Sequence, residues 1–244
     1  MSGHSKWSTI KRKKGVADQA RAKVFTKIGK EITVAVKAGG GDPSSNPRLR
    51  DLISKAKAAN MPNDNIDRVI KKAAGGADKT DYEDVKYEGY GPNGIAVIVE
   101  GLTDNRNRTA GEVRHIFDKF GGNLGTTGCV SFMFEQKGVI TIAAEEIDED
   151  KLMEDALEAG AADLLSEDGM VIVYTDPADF SAVRESLEGM GYTFESADVE
   201  QVPNTYTALT DPDSIVKMQR LLDALDDNDD VTEVWHNWEN NDEE

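Results

Sequence analysis

The sequence predicts a multidomain α+β protein: an N-terminal basic three-helix domain, followed by two α/β sandwich domains of ferredoxin-like type, one inserted in the other. Three observations predict this architecture. Apolar residues recur at helical spacing between Val16 and Ala73, strand and helix patterns alternate after residue 80, and the net charge changes sign between the two parts. Residues 1–75 carry 17 Lys/Arg against 6 Asp/Glu, a net +11, whereas residues 76–244 carry 11 against 40, a net −29.

The first thirty residues hold nine basic side chains and a single acidic one, Asp18. The nine are Lys6, Lys11, Arg12, Lys13, Lys14, Arg21, Lys23, Lys27 and Lys30. A basic block that contains an aromatic residue, Trp7, within a chain of net charge −18 indicates a surface that contacts phosphates. A solvated, disordered basic tail is the alternative.

Three amphipathic helices are predicted in residues 1–76. In the first, from Val16 to Val36, apolar residues recur every four positions, and Lys23, Lys27 and Lys30 share another face. Pro47 begins the second helix, and Asn63 or Asp64 begins the third.

The following region predicts a β-β-α-β unit whose last strand is Val130 to Phe134. A β-α-β-β-α-β pattern, the order of a ferredoxin-like sandwich, then occupies residues 137–203. A strand from Thr205 to Leu209, a helix from Asp213 to Leu225 and a strand from Val231 to Trp235 complete the interrupted unit. The predicted domains are therefore 1–76, basic and helical; 77–136 with 204–238, discontinuous α/β; and 137–203, inserted. The acidic tail is 239–244.

Composition argues against several classes of protein. No apolar run reaches 18 residues, which predicts no membrane span, and the N-terminus has no apolar signal region. Cys129 is the only cysteine, so an intrachain disulfide is impossible and a reducing cytoplasm is expected.

No catalytic or metal site is predicted. The three histidines and Cys129 do not form a metal-binding motif. The glycine-rich loop 121–128 follows a helix and leads into a strand, the reverse of a phosphate loop, so a contact loop or edge turn is expected. Cys129 is interpreted as a buried structural thiol. The sequence thus predicts a protein that is not an enzyme and has no cofactor.

Arg106 and Arg108 lie between a strand and the start of a helix. A positive charge there interacts unfavourably with the helix dipole and costs roughly 0.3–1 kcal/mol of stability. Phosphate binding beside the helix N-terminus would explain them, with Arg114 and His115 further along. Ion pairing with the acidic domains, for example with Glu112, is the alternative.

Several stretches resemble the YebC family over nearly the full length. The N-terminal GHSKW (residues 3–7) is a family hallmark. Further matches are DQARAKVF (18–25), NMPNDNI (60–66), IKKA (70–73), YEGYGP (87–92), TDNRNRT (103–109) and the region 128–134.

The resemblance implies three domains and a non-enzymatic regulator of gene expression. Bacterial members are described as probable DNA-binding transcriptional regulators in the cytoplasm. A mitochondrial relative is described as a translational activator, and members are linked to the ribosome. The predicted partner is therefore DNA or, as the alternative, ribosomal RNA, bound by a translation factor that assists elongation or relieves stalling. A second alternative is an acidic adaptor that binds basic proteins.

The predicted nucleic-acid contacts are the nine basic residues of the first thirty, Trp7 as a stacking or anchoring residue, and Arg106 with Arg108. Lysine and arginine contacts to phosphate fix position but carry little sequence information. DNA and structured RNA both remain open from the residues alone.

Overall fold

A computed structural model describes residues 18–76, 79–167 and 169–239. In these residues it has seven α-helices and two four-stranded antiparallel sheets, which confirms the α+β multidomain class. The helices are α1 (Asp18–Gly39), α2 (Pro47–Ala58), α3 (Asn63–Ala74), α4 (Arg106–Lys119), α5 (Glu149–Ala159), α6 (Phe180–Gly189) and α7 (Pro212–Asp226). The strands are β1 (Glu83–Tyr90), β2 (Ala96–Thr103), β3 (Asn123–Leu124), β4 (Phe134–Ala143), β5 (Asp163–Glu167), β6 (Met170–Thr175), β7 (Ser196–Pro203) and β8 (Val231–His236).

The described residues form two compact units. One is Gln136–Val202, and the other comprises the described residues from 18 to 135 and from 203 to 239. The three-helix segment α1–α3 therefore shares its unit with the first sheet, a fact that decides what its lysines contact.

Helices α1, α2 and α3 enclose a small core of their own. Ile28, Ile32, Leu49 and Ile66 are buried there because they recur on one face of each helix. Asn46 begins α2: its Oδ1 accepts from Leu49 N, and its Nδ2 donates to carbonyls of α1 and of the following turn. One buried amide thus fixes both the start of α2 and its place against α1.

The first sheet has the order β3-β1-β2-β8, and helices α4 and α7 pack on one of its faces. The alternating residues Ile95, Val97 and Val99 point into this core. At Gly101 the register with β8 shifts, and an added Cβ would collide with the carbonyl oxygen of Asp230. The same carbonyl accepts from Leu102 N at 2.8 Å, so β2 fixes the backbone of Asp230.

Two predicted strands of this unit are wrong. Val130–Phe134 is not a strand of the first sheet: Ser131–Met133 forms a single 3₁₀ turn, and the short β3 lies earlier in the chain. Thr205–Leu209 contributes only one bridge, Thr207 to Trp238. In the first segment the Glu88 carboxylate accepts the N–H groups of Val130 and Ser131, and in the second Asn237 Nδ2 donates to the carbonyl oxygen of Thr205, so these backbone groups do not join a sheet ladder.

The second sheet has the order β5-β6-β4-β7, with α5 and α6 packed on it. Strand β4 pairs with β6, and β5 pairs with β6 in a hairpin, both antiparallel. With β-α-β-β-α-β connectivity this is the ferredoxin-like arrangement that the sequence predicts.

Candidate nucleic-acid interface

Half of the predicted contact residues lie outside the described part of the chain. These are Lys6, Trp7, Lys11, Arg12, Lys13 and Lys14. The described ones are Arg21, Lys23, Lys27 and Lys30 on α1, and Arg106 and Arg108 on α4.

The three α1 lysines point towards an acidic loop, which we define as residues 226–230. Lys23 Nζ lies 2.8 Å from Asp227 Oδ1. Lys27 Nζ donates to the carbonyl oxygen of Asp226 at 2.6 Å. Lys30 Nζ donates to the carbonyl oxygen of Asp229 at 2.7 Å and to Asp230 Oδ1 at 2.9 Å. The predicted lysine face exists, and the protein's own acidic loop occupies it.

The contact between the lysines of α1 and the acidic loop is electrostatically favourable for both α1 and α7. Helix α7 ends at Asp226 with no basic residue in its last turn, so its acidic residues lie at the negative end of the helix dipole. Lysine side chains that donate to the last carbonyls relieve that conflict. Helix α1 therefore supplies the basic C-terminal cap that α7 lacks.

Asp230 is the buried centre of the contact. Its Oδ2 accepts from Arg108 NH2 at 2.5 Å, from Thr109 Oγ1 at 2.8 Å and from Thr103 Oγ1 at 3.1 Å. Burial raises the pKa of Asp230, but the hydrogen bonds from Arg108, Lys30 and Thr109 outweigh it and lower the pKa to about 2. The side chains of Lys30 and Asp230 are only 14% and 7% exposed, so this ion pair is structural.

Arg106 and Arg108 occupy the first turn of α4, which Asn105 caps by accepting from Arg108 N. Arg108 pairs with Asp104 at 2.8 Å and with Asp230, and the Asp230 hydrogen bond raises the pKa of Arg108. Arg106 lies 3.4 Å from Glu83. The sequence alternative of ion pairing is realised, but with different partners.

Glu112 is not one of those partners in the described contacts. Its carboxylate accepts from Asn228 Nδ2 at 2.8 Å, so α4 is joined to the acidic loop at a second point. An arginine in the first turn can oppose the helix dipole because carboxylates on neighbouring elements compensate its charge.

Sequence reasoning missed a further contact of α1–α3 with the first sheet. Lys55 of α2 lies 3.0 Å from Glu233 of β8 and 3.4 Å from Glu31 of α1. The spacing of basic residues on α2 cannot reveal this, because Glu233 lies 178 residues further along the chain.

The outer surfaces of α2 and α3 carry other basic residues. The sequence predicts them on or near the outside, but they are not among the predicted nucleic-acid contacts. Arg48, Lys57, Arg68 and Lys71 are exposed, and Arg68 also hydrogen-bonds Asn65 at 2.6 Å. Arg68 and Lys71 are three residues apart on α3 and so share a face.

Glu88 fixes the glycine-rich loop by its side chain. Only 2% exposed, it accepts backbone N–H groups of Gly128, Val130 and Ser131 and the hydroxyl of Ser131. Burial raises its pKa, but these four hydrogen bonds lower it to about 2.

The segment held by Glu88 follows the edge strand β3 and continues into the 3₁₀ turn Ser131–Met133, where Phe132 is 73% exposed. Cys129 is partly buried in the loop rather than in a strand, and burial raises the pKa of its thiol. A thiol with a raised pKa is a poor nucleophile near neutral pH.

Over the residues that the structure describes, no group of three or more His, Cys, Asp or Glu side chains could hold a metal ion. No helix in that part of the chain is both long and apolar enough to span a bilayer.

Comparison with known proteins covers both parts of the chain. A family model described as "TACO1/YebC protein N-terminal domain" matches residues 5–76, and one described as "TACO1/YebC second and third domain" matches residues 82–238. The chain belongs to the TACO1/YebC family. This confirms the resemblance drawn from the GHSKW and TDNRNRT segments.

Curated relatives of the TACO1/YebC family match over the full length. A protein of Acetivibrio thermocellus is 62% identical over 98% of this chain and 99% of its own, and one of Ruminiclostridium cellulolyticum is 59% identical over 100% and 98%. Each is named "Probable transcriptional regulatory protein". The crystal structure of a conserved hypothetical protein from Aquifex aeolicus aligns with a TM-score of 0.80, 47% identity and 91% coverage of both chains.

Proposed function

We propose that this protein is a non-enzymatic, cytoplasmic regulator of gene expression that binds nucleic acid through its basic N-terminal domain, residues 1–76. The name of the curated relatives supports a transcriptional regulator, with DNA as the partner. Ribosomal RNA, bound by a translation factor, is the competing target of the same surface.

The observation that carries the proposal is the sign change of charge at the end of the helical segment. A net +11 on residues 1–75 of a chain with net charge −18 favours contact with a polyanion at this end, and the acidic remainder repels nucleic acid elsewhere. The exposed Arg48, Lys57, Arg68 and Lys71 add positive charge on α2 and α3, which the acidic loop does not contact in any described hydrogen bond or ion pair.

The proposal assigns different roles to the predicted residues. The six that precede Asp18 are the primary contacts, because Lys23, Lys27 and Lys30 of α1 are already bound to carboxylate or carbonyl oxygens of the acidic loop. Lysine and arginine contacts of this kind give affinity that depends on salt and carry little information about base sequence. Base readout would need side chains in a groove, and no such helix can be singled out.

A salt titration tests the electrostatic part. We expect the logarithm of the binding constant for duplex DNA to fall linearly with the logarithm of salt concentration, with a slope of about −0.9 for each phosphate contacted. Replacing Lys11, Arg12, Lys13 and Lys14 by Gln should make the slope shallower by about 3.6, measured by fluorescence anisotropy of a labelled oligonucleotide.

The matched control changes four exposed lysines outside the N-terminal domain: Lys86, Lys119, Lys151 and Lys217, each to Gln. The control alters net charge equally and should leave the slope within about 1 of the original. A binding constant that does not depend on salt, or equal effects of the two variants, contradicts the proposal.

A further inference from the structure

The acidic loop 226–230 lies where an external polyanion would have to bind on α1. Lys23, Lys27 and Lys30 follow one another at +4 and +3 on one helix face, so they span about 10 Å of the helix axis. Along one strand of B-DNA, phosphates follow one another every 3.4 Å of axis, so about three phosphates fit over that length. In this structure the loop supplies two carboxylates and two carbonyl oxygens in their place.

The contact has a buried and an exposed part. Lys30 and Asp230 are mostly buried and tied to Thr103, Thr109 and Arg108, so this end is fixed. At the other end, the side chains of Lys23 and Asp227 are 41% and 74% exposed. An exposed pair of this kind contributes little and is weakened by salt, so a phosphate can replace its carboxylate at small expense in free energy.

The loop also has a reason to be displaceable. It places Asp226, Asp227, Asp229 and Asp230 within five residues, so like charges repel one another along it. Only Asp230 of these is buried, while Asp227 and Asp229 are exposed. The exposed charge that competes for α1 is therefore that of Asp227 and Asp229, while Asn228 and Asp230 tie the same loop to α4 and β2.

We propose that loop 226–230 is an internal competitor that occupies the Lys23–Lys27 end of α1 and lowers the affinity of the N-terminal domain for nucleic acid until a phosphate backbone displaces it. The inference rests on the proposed function and adds its regulation. It makes α1 a second contact that is available only after the loop moves, whereas Lys30 stays with Asp230.

The decisive variant neutralises the three acids of the loop other than the buried Asp230: Asp226→Asn, Asp227→Asn and Asp229→Asn together. We expect its affinity for a labelled 30-base-pair duplex to rise about tenfold, because Lys23 loses its carboxylate partner and the loop loses three negative charges that hold it against α1, so that only the carbonyl oxygen of Asp226 still binds Lys27. The salt slope should steepen by about 1 if Lys23 alone contacts a phosphate, and by about 2 if Lys27 also leaves the carbonyl oxygen of Asp226. Adding Lys23→Gln and Lys27→Gln to this variant should remove both gains.

A control with the same change in net charge separates local competition from general repulsion. Asp150→Asn, Glu154→Gln and Glu158→Gln lie exposed on α5, in the other compact unit. This control should raise affinity less than about threefold and leave the salt slope unchanged. Equal gains in the two variants overturn the internal competitor. If no variant, nor the unmodified protein, binds the duplex or a ribosomal RNA fragment, the proposed function fails instead.

Carboxyl labelling gives a second, independent readout on the unmodified protein. If the loop and a nucleic acid compete for α1, binding of the nucleic acid must weaken the contact between the loop and α1, because such coupling is reciprocal. Saturating duplex should therefore increase carbodiimide labelling of Asp226 and Asp227, quantified by mass spectrometry, while Asp230 stays protected. Unchanged or reduced labelling of the loop in the bound state would mean that the loop remains in place.

Discussion

Replacing Asp230 by Ala is expected to lower the free energy of unfolding by about 3 kcal/mol, because the change leaves a mostly buried Lys30 without its carboxylate and removes the acceptor of Thr103 and Thr109. Urea denaturation followed by tryptophan fluorescence measures the loss. Asp229→Ala is the matched control: its carboxylate is exposed, and only its backbone carbonyl binds Lys30. The control should stay within about 0.5 kcal/mol of the unmodified protein.

The difference in free energy of unfolding between the unmodified protein and Asp230→Ala should depend on pH, and this dependence tests the ion pair separately from packing. The folded-state pKa of Asp230, about 2, lies below its ordinary value of 3.8. The unfolded chain therefore takes up the proton first, and the pair stabilises the protein fully above pH 4 and less as the pH falls towards 2. The difference in free energy of unfolding between the two proteins should become smaller as the pH falls over that range. If this difference does not change with pH, the loss of stability in Asp230→Ala comes from packing alone.

Glu88→Gln is expected to lower the free energy of unfolding by about 2–3 kcal/mol, because an amide must turn its NH2 group towards donors that now converge on two carboxylate oxygens. The amides of Gly128, Val130 and Ser131 should together exchange with deuterium faster, since only one of their two acceptor oxygens remains.

Glu83→Gln on the same strand is the matched control for Glu88. Its carboxylate is exposed and lies 3.4 Å from Arg106, so its loss should change stability by less than about 0.5 kcal/mol. If Glu88→Gln proves no more destabilising than Glu83→Gln, Glu88 does not hold the loop.

The helices of this protein follow from local sequence, and the structure begins α2 at Pro47 as the pattern predicts. Periodicity is sufficient there because each helix satisfies its own backbone and buries one stripe. The ferredoxin-like unit was predictable for the same reason: its alternating strands and helices make a complete sandwich on their own.

The wrong strand at Val130–Phe134 has a non-local cause. Its residues have high strand propensity, but Glu88, 42 residues before Val130, accepts the backbone N–H groups that a ladder would need. A period of two in the sequence cannot show that a distant buried carboxylate takes those donors.

The lysine face of α1 illustrates a second limit. Its existence was predictable from spacing, but its occupant was not, because Asp227 lies 204 residues after Lys23. An excess of acidic residues suggested many equivalent partners. The three-dimensional arrangement selects the run at the end of α7, whose helix dipole makes lysine capping favourable.

Ultraviolet crosslinking of the tagged protein in growing cells, followed by nuclease digestion, tests the central claim most directly. We expect a crosslinked species that deoxyribonuclease removes, that is lost when Lys11, Arg12, Lys13 and Lys14 are replaced by Gln, and that persists in the four-lysine control. Removal by ribonuclease, with fragments mapping to ribosomal RNA, would keep the interface and change the target to the ribosome. Absence of any crosslink, or an equal crosslink from the variant with the neutral N-terminus, would contradict nucleic-acid binding by residues 1–76.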